Sequence, residues 1–506
     1  MPHGTELTYE TMFSFPTVDD KTWQTGEGRA WVKPEIDDTF GFLGCAAVGG
    51  FTNPSGDEEP VWCPDPSRRK KFVQVDSISG TPGRPDTSLI MRLGKLHWLL
   101  KLQKRGCLYD LDVRYGECER PDDVDAWEHI VRFCQFRITE LSSTDMVIRD
   151  SNAMIDETAA ISALEMYDVY PVTAEEVDTT IVEDITAVIL AGRPSCGECG
   201  ELPSDGCDLW YAVTEGVTGQ PQFLASDDGG ETWTTWAITP WAMGIDARDV
   251  AVAGGRIVVI TEDAPALAYT EDYTVGFTEM TWGFLAGCNG RAIHSLDTRH
   301  TWIAATNGTI YFTGDPRLGV EAQENATLTN NNLNAIHAAN GQDVYAVGDN
   351  NTFLYTTNGG RDWIAGVGPV PNVDLTSVWA FHDSQKRMVI VGTIDGRIFQ
   401  SFDGGTNWYG RQLPGVEYLA DTFNIAAITG CGCSALEMFV LVEAGTYLEP
   451  TDGQLFRTID GGLTWREVAL PTNLGVEDVA CCDPNTALVV GHLTAAGTAF
   501  VARVTG

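Results

Sequence analysis

The sequence predicts an all-β chain: a β-sandwich or barrel domain with one short helix, followed by a seven-bladed β-propeller. Three observations predict it. A turn-like motif recurs through the C-terminal two-thirds at nearly constant spacing. Short apolar runs of strand type fill the intervals. The 506 residues include 53 Gly and 15 Trp, the composition of many turns and many bulky packing anchors. A chain of this length holds two or three domains. We draw them as an extended arm with loops over 1–71, a β-sandwich-like assembly domain over 72–175 and the propeller over 176–506.

The first 71 residues are rich in Gly, Pro, Asp and aromatics without periodicity, which is why they read as arm and loops. Arg68-Arg-Lys-Lys71 is a basic island there, a solvated turn or a docking point for an acidic neighbour. From Phe72 the pattern turns regular. Phe72–Val75, Leu89–Arg92, Leu108–Arg114, His129–Ile138, Asp145–Arg149 and Ala160–Tyr167 read as strands. Residues 93–104 read as the helix, with Leu93, Leu96, Leu99, Leu100 and Leu102 toward one side.

The repeat follows. Its copies carry Ser226, Asp228, Gly230 and Trp233; Thr356, Asn358, Gly360 and Trp363; Ser401, Asp403, Gly405 and Trp408; and Thr458, Asp460, Gly462 and Trp465. The pattern is Ser/Thr-x-Asp-x-Gly-x-x-Trp, with Asn358 once in place of Asp. Two worn copies, Thr270-Glu-Asp272 and Thr313-Gly-Asp315, keep only the start. Successive starts lie 44, 43, 43, 45 and 57 residues apart. A period near 45 is that of a four-stranded propeller blade. An insertion around Cys431 and Cys433 is the expected source of the long last step. Three more strand-like runs after the sixth start make a seventh blade, whose missing outer strand is expected from Val177–Val182.

This motif resembles the Asp-box, or BNR-like, repeat of sialidases, sortilin-type receptors and photosystem assembly factors. In such a box the Asp accepts backbone N–H groups inside its own turn, the Gly pair takes angles closed to other residues, and the Trp packs under the turn. The sixteen box residues are therefore expected to be structural. No catalytic, cofactor-binding or metal-binding residue is singled out.

Charge narrows the function. The net charge is -39; residues 1–175 carry 18 basic and 30 acidic side chains, and residues 176–506 carry 14 and 41. That field repels phosphates and argues against nucleic-acid binding and against the basic face of a photosystem assembly factor. Met1–Glu6 lacks the basic and apolar regions of a signal peptide, and no apolar run reaches membrane-spanning length. Cytoplasmic synthesis without membrane insertion is expected. Sialidases need an Arg cluster and an Arg-Ile-Pro start; Arg193-Pro194 is the nearest approach and stands in the wrong context. No phosphate loop, His-based metal motif or cofactor motif occurs. Thirteen cysteines include Cys196, Cys199 and Cys207, the close pair Cys431 and Cys433, and the vicinal Cys481-Cys482. Thiols, local disulfides and metal ligation all stay open for them.

The layout of residues 1–175 resembles the tube domain of long-tailed phages, which stacks as hexameric rings. That resemblance implies a non-enzymatic virion structural protein: a homo-oligomeric phage tail tube whose propeller decorates the exterior. It would contact other virion proteins and host surface glycans. The alternative is a glycan-binding or glycan-hydrolysing propeller with an accessory domain.

Overall fold

The computed structural model describes the strands of residues 1–169 by their backbone. It also describes residues 170–506 apart from short segments, of which 192–206 is the longest. Contacts divide the chain into two compact units, Met1–Pro171 and Val172–Gly506.

In the first unit, seven strands share one antiparallel ladder: Tyr9–Phe15, Thr39–Thr52, Asp86–Arg92, Tyr109–Gly116, Trp127–Ser143, Asp156–Ser162 and Glu165–Val169. Asp156–Ser162 pairs with both Asp86–Arg92 and the distal half of Trp127–Ser143, so the ladder returns on itself. Two of these strands come from the stretch read as arm and loops. The run Ala160–Tyr167, read as one strand, is two, because its halves pair with different parts of Trp127–Ser143. The helix expected at 93–104 and the strand expected at Asp145–Arg149 lie outside the described residues.

The second unit is a seven-bladed propeller, each blade a four-stranded antiparallel sheet. The innermost strands are Ile185–Leu190, Ala247–Ala253, Gly290–Asp297, Leu333–Ala338, Leu375–His382, Phe423–Cys431 and Val476–Asp483. They mix apolar with polar residues, as in Gly290–Asp297 and Val476–Asp483. The second strands, such as Trp210–Thr214 and Val344–Gly348, are the runs buried throughout, as strands covered on both faces require. Seven hydrophobic clusters form among the described residues, and each lies between two neighbouring blades. Trp210 and Leu488 meet between blades 7 and 1, and Trp302 and Leu354 between blades 3 and 4. The core is thus a ring of seams, not one central core.

The ring closes on blade 7. Its outer strand is Thr173–Glu176, paired with Ala499–Thr505 in the register Thr173↔Thr505 to Glu176↔Ala502. This corrects the expectation of Val177–Val182, and it places the boundary ahead of Val172, not inside the strand. Past Glu176 the chain peels inward: Val177 still donates to the Val501 carbonyl, but Ile181 is buried between blades 7 and 1. The long step before the last box also has a different source. It comes mainly from a second hairpin with ten-residue strands, Glu437–Thr446 and Glu449–Thr458.

The cysteines pair across seams, not locally. Cys207 of blade 1 is bonded to Cys482 of blade 7, and Cys431 of blade 6 to Cys481 of blade 7. The vicinal pair therefore ties the closing blade to both neighbours, at sequence separations of 275 and 50. Ring closure alone brings Cys207 to Cys482, whereas Cys431 and Cys481 belong to consecutive blades. Cys288 is a buried thiol. Cys196, Cys199 and Cys433 lie outside the described residues.

Candidate functional site: the upper mouth of the channel

The innermost strands all run the same way around a central channel, a cavity of about 610 Å³. We call the end where they begin the upper face. The boxes join the third and fourth strands and so sit at the opposite, lower face.

At the boxes, chemistry is spent on turn geometry. Ser226 Oγ donates to Asp228 Oδ1 at 2.8 Å and accepts from Gly230 N at 2.9 Å, while Thr232 N donates to the same carboxylate at 2.8 Å. Thr356 with Asn358 and Gly360, and Ser401 with Asp403 and Gly405, repeat the arrangement. In the fourth box Gly462 N donates to Thr458 Oγ1 at 2.9 Å; Asp460 lies outside the described residues. Burial opposes the charge on Asp403. Hydrogen bonds from Asn407, Ser401 and Thr406 outweigh it and hold the carboxyl below the usual range.

The second glycine of each box faces the preceding blade. A Cβ on Gly230 would meet Leu488, on Gly360 Gln323, on Gly405 Phe353 and on Gly462 Gln400. All four have φ between 84° and 91°, where a side chain is strained. The tryptophans lie in the same seams: Trp233 between blades 7 and 1, Trp363 between 3 and 4, Trp408 between 4 and 5, Trp465 between 5 and 6. Asp228 and Asp403, the described box acids, each close the turn of their own blade.

The upper mouth differs. Its lining includes Arg248, Arg291, Asp349, Asp374, Glu443 and Glu477. Each innermost strand bulges near its start, as at Ala247/Asp249, Leu333/Ala335 and Val476/Asp478. The bulge turns one extra residue toward the channel, placing Arg248, Arg291, Asn334, Thr376 and Glu477 at equivalent positions. The next residue can instead reach the adjoining blade. Asp249 Oδ2 accepts from Ile293 N at 2.8 Å, and Asp478 Oδ2 from Val188 N at 2.9 Å. Burial pushes Asp249 up to about 6 and Asp478 up to about 8.

Behind Glu477, where blades 7, 1 and 2 meet, acidic groups gather. His492 bridges Asp184 Oδ2 at 3.0 Å and Glu477 Oε1 at 2.9 Å, and these two hydrogen bonds raise it to about 10. The imidazole is therefore a cation at neutral pH. Glu215 donates its backbone N–H to the Asp184 carbonyl at 3.0 Å. Burial, with the charges of Asp184, Asp246 and Glu477, raises its carboxyl to about 7. Burial also raises Glu443. An acid raised to about 7 can exchange a proton near neutral pH.

None of these mouth residues follows from the repeat. Acidic residues are too common in this chain for any pair to stand out. Aligning the seven innermost strands on their bulges would have isolated the row from Thr186 to Glu477.

No protein-family model matches the sequence, and no curated protein matches it. Solved structures do resemble it. A streptogramin B lyase shares 14% identity with a TM-score of 0.50, over 66% of this chain and 97% of that one. YCF48 from Cyanidioschyzon merolae shares 14% with a TM-score of 0.49, over 65% and 98%. A GH74 xyloglucanase from Xanthomonas campestris shares 14% with a TM-score of 0.47, over 65% and 55%. At 14% identity the likeness to the streptogramin B lyase shows the fold alone.

Proposed function

We propose that this chain is a non-enzymatic virion structural protein. In this reading the N-terminal unit assembles with further copies and other virion proteins into the rings of a phage tail tube. The propeller, an Asp-box propeller by its turns, decorates the outside and contacts host surface glycans. The observation that supports the reading most is the self-sufficiency of the propeller. Thr173–Glu176, the first strand after the N-terminal unit, already belongs to blade 7, so the ring needs nothing from residues before Val172. A closed body joined to the chain at one crossing suits display on an assembling partner domain. The antiparallel ladder that returns on itself through Asp156–Ser162 suits a small, self-contained assembly unit. The acidic surface suits crowding without association.

Negative-stain microscopy of the purified full chain tests this. Knobbed rings or tubes are expected. Single particles at every concentration tested would remove the tube.

One observation favours a second reading, glycan hydrolysis. Glu215 is poised near neutrality among Asp184, Asp246 and Glu477, and glycoside hydrolysis pairs a protonated with an ionised carboxyl. Turnover on a glycan panel, abolished in Glu215→Gln, would move the weight there.

A further inference from the structure

We propose that in the reduced protein Cys207, Cys482 and Asp483 form a binding site for a zinc-like divalent cation, and that the disulfide is the oxidised, metal-free state of the same site. The two sulfurs and a carboxylate oxygen all lie within 4.8 Å of one another. Cys207 Sγ is 3.1 Å from Asp483 Oδ2. A disulfide sulfur carries no proton, so in the bridged state the carboxylate faces it with nothing to share. A thiol proton, or a cation held between the two, satisfies that contact. Two thiolates and one carboxylate are a ligand set that zinc accepts and that calcium and magnesium do not favour.

The surroundings already orient the ligands. Asp483 Oδ1 accepts from Asn485 N at 2.7 Å, which leaves Oδ2 turned to the sulfur. The Cys207 carbonyl accepts from Trp210 Nε1 at 2.7 Å, and that indole is completely buried. Such supports fix ligand direction before the ion arrives. The cysteine Cα atoms are 5.6 Å apart. Side-chain rotation has to part the sulfurs to roughly 3.8 Å, the edge of a tetrahedron with arms of about 2.3 Å. Cys482 is buried, whereas Cys207 and Asp483 are half-buried and leave a fourth position open to water.

The chemistry balances. Binding deprotonates two thiols, so one M²⁺ enters and two H⁺ leave. Oxidation passes two electrons from the thiolates to a small-molecule disulfide, which takes up two protons and leaves as two thiols. The cysteines become bonded to each other and M²⁺ is released. Either state joins blade 7 to blade 1, at the seam where the ring closes.

The test titrates Co²⁺ into the full-length protein kept reduced with a phosphine, reading the thiolate-to-cobalt charge-transfer band. Wild type is expected to give a band with tetrahedral d–d absorption that Zn²⁺ abolishes. Cys482→Ser should lose one equivalent of it. Asp483→Asn, which keeps both sulfurs and the shape of the site, should weaken binding by about tenfold or more. Cys431→Ser, in the neighbouring bridge, should leave the band unchanged. Oxidised glutathione should release one ion per two thiols consumed. Absence of a thiolate band in wild type, or equal bands and affinities in Cys482→Ser and Asp483→Asn, would overturn the proposal. So would oxidation of the pair without loss of metal.

Discussion

Two alanine substitutions separate the backbone role of the box from its packing role. Gly405 and Gly462 occupy the same place in two boxes and have nearly the same φ, 91° and 84°. Alanine at either pays for a left-handed backbone, about 1–2 kcal/mol. At Gly462 the new Cβ lies 3.4 Å from the Gln400 amide, an ordinary contact. At Gly405 it collides with the Phe353 ring, which is buried between blades 4 and 5. Overpacking of this kind costs a further 1–3 kcal/mol or so. Val172–Gly506 has roughly 335 residues, hence an unfolding entropy of about 0.7 kcal/mol/K, so 1 kcal/mol moves the melting midpoint by about 1.4 °C. Gly462→Ala should lower it by about 1.5–3 °C and Gly405→Ala by about 3–7 °C. Calorimetry of the full chain, following the propeller transition, reads both. Equal losses would mean that the seam against the preceding blade gives way freely, and the packing role assigned to the second glycine would be wrong.

Other consequences are as direct. His492 is held above its unfolded value by Asp184 and Glu477, so its contribution is complete below about pH 6.5 and disappears as pH rises through about 10. His492→Gln should flatten the fall in melting midpoint over that window. Glu215 is also raised, but as an acid: its contribution is complete below about pH 4.5 and is lost by about pH 7. Glu215→Gln should remove that slope, and a slope as steep as wild type would refute the assignment. Opening the Cys431–Cys481 loop should cost on the order of 4 kcal/mol by loop entropy, read as a lower midpoint for Cys431→Ser under oxidising conditions and no difference under reducing ones. Ala174→Pro, in the strand that completes blade 7, should unpair it from Val504 and leave Ala499–Thr505 as an open edge, seen as earlier melting with aggregation.

The propeller was legible because each box writes its turn into adjacent residues. Ser226, Asp228 and Gly230 need only each other to define it, and a period near 45 then counts the blades. Even the worn copies keep part of the geometry: Thr274 N donates to Asp272 Oδ1, and Arg317 N to Asp315 Oδ1. What failed was whatever depends on closure. Thr173–Glu176 is polar and mostly exposed, so nothing in its composition marks it as a strand; its partner 330 residues away does. The partner of Cys207 was hidden for the same reason. Proximity in sequence suggested local pairs, while the ring brings residue 207 against residue 482. The mouth was hidden by abundance. Glu477 sits on an innermost strand, while Glu215 and His492 sit at the ends of second strands of two blades, and only the folded ring brings them to one end.

The closing strand also sets a timetable. A ribosome that has just made Thr173–Glu176 must add more than 300 residues before Ala499–Thr505 exists to receive it. At roughly 5–20 residues per second this takes from a quarter of a minute to about a minute. Throughout that interval the finished blades form an open arc with an uncovered apolar flank at each end. One flank belongs to blade 1, whose seam partners Leu488 and Val490 are still unmade. The nascent arc is therefore the form most in need of a chaperone, and a premature stop anywhere in blade 7 would strand it there.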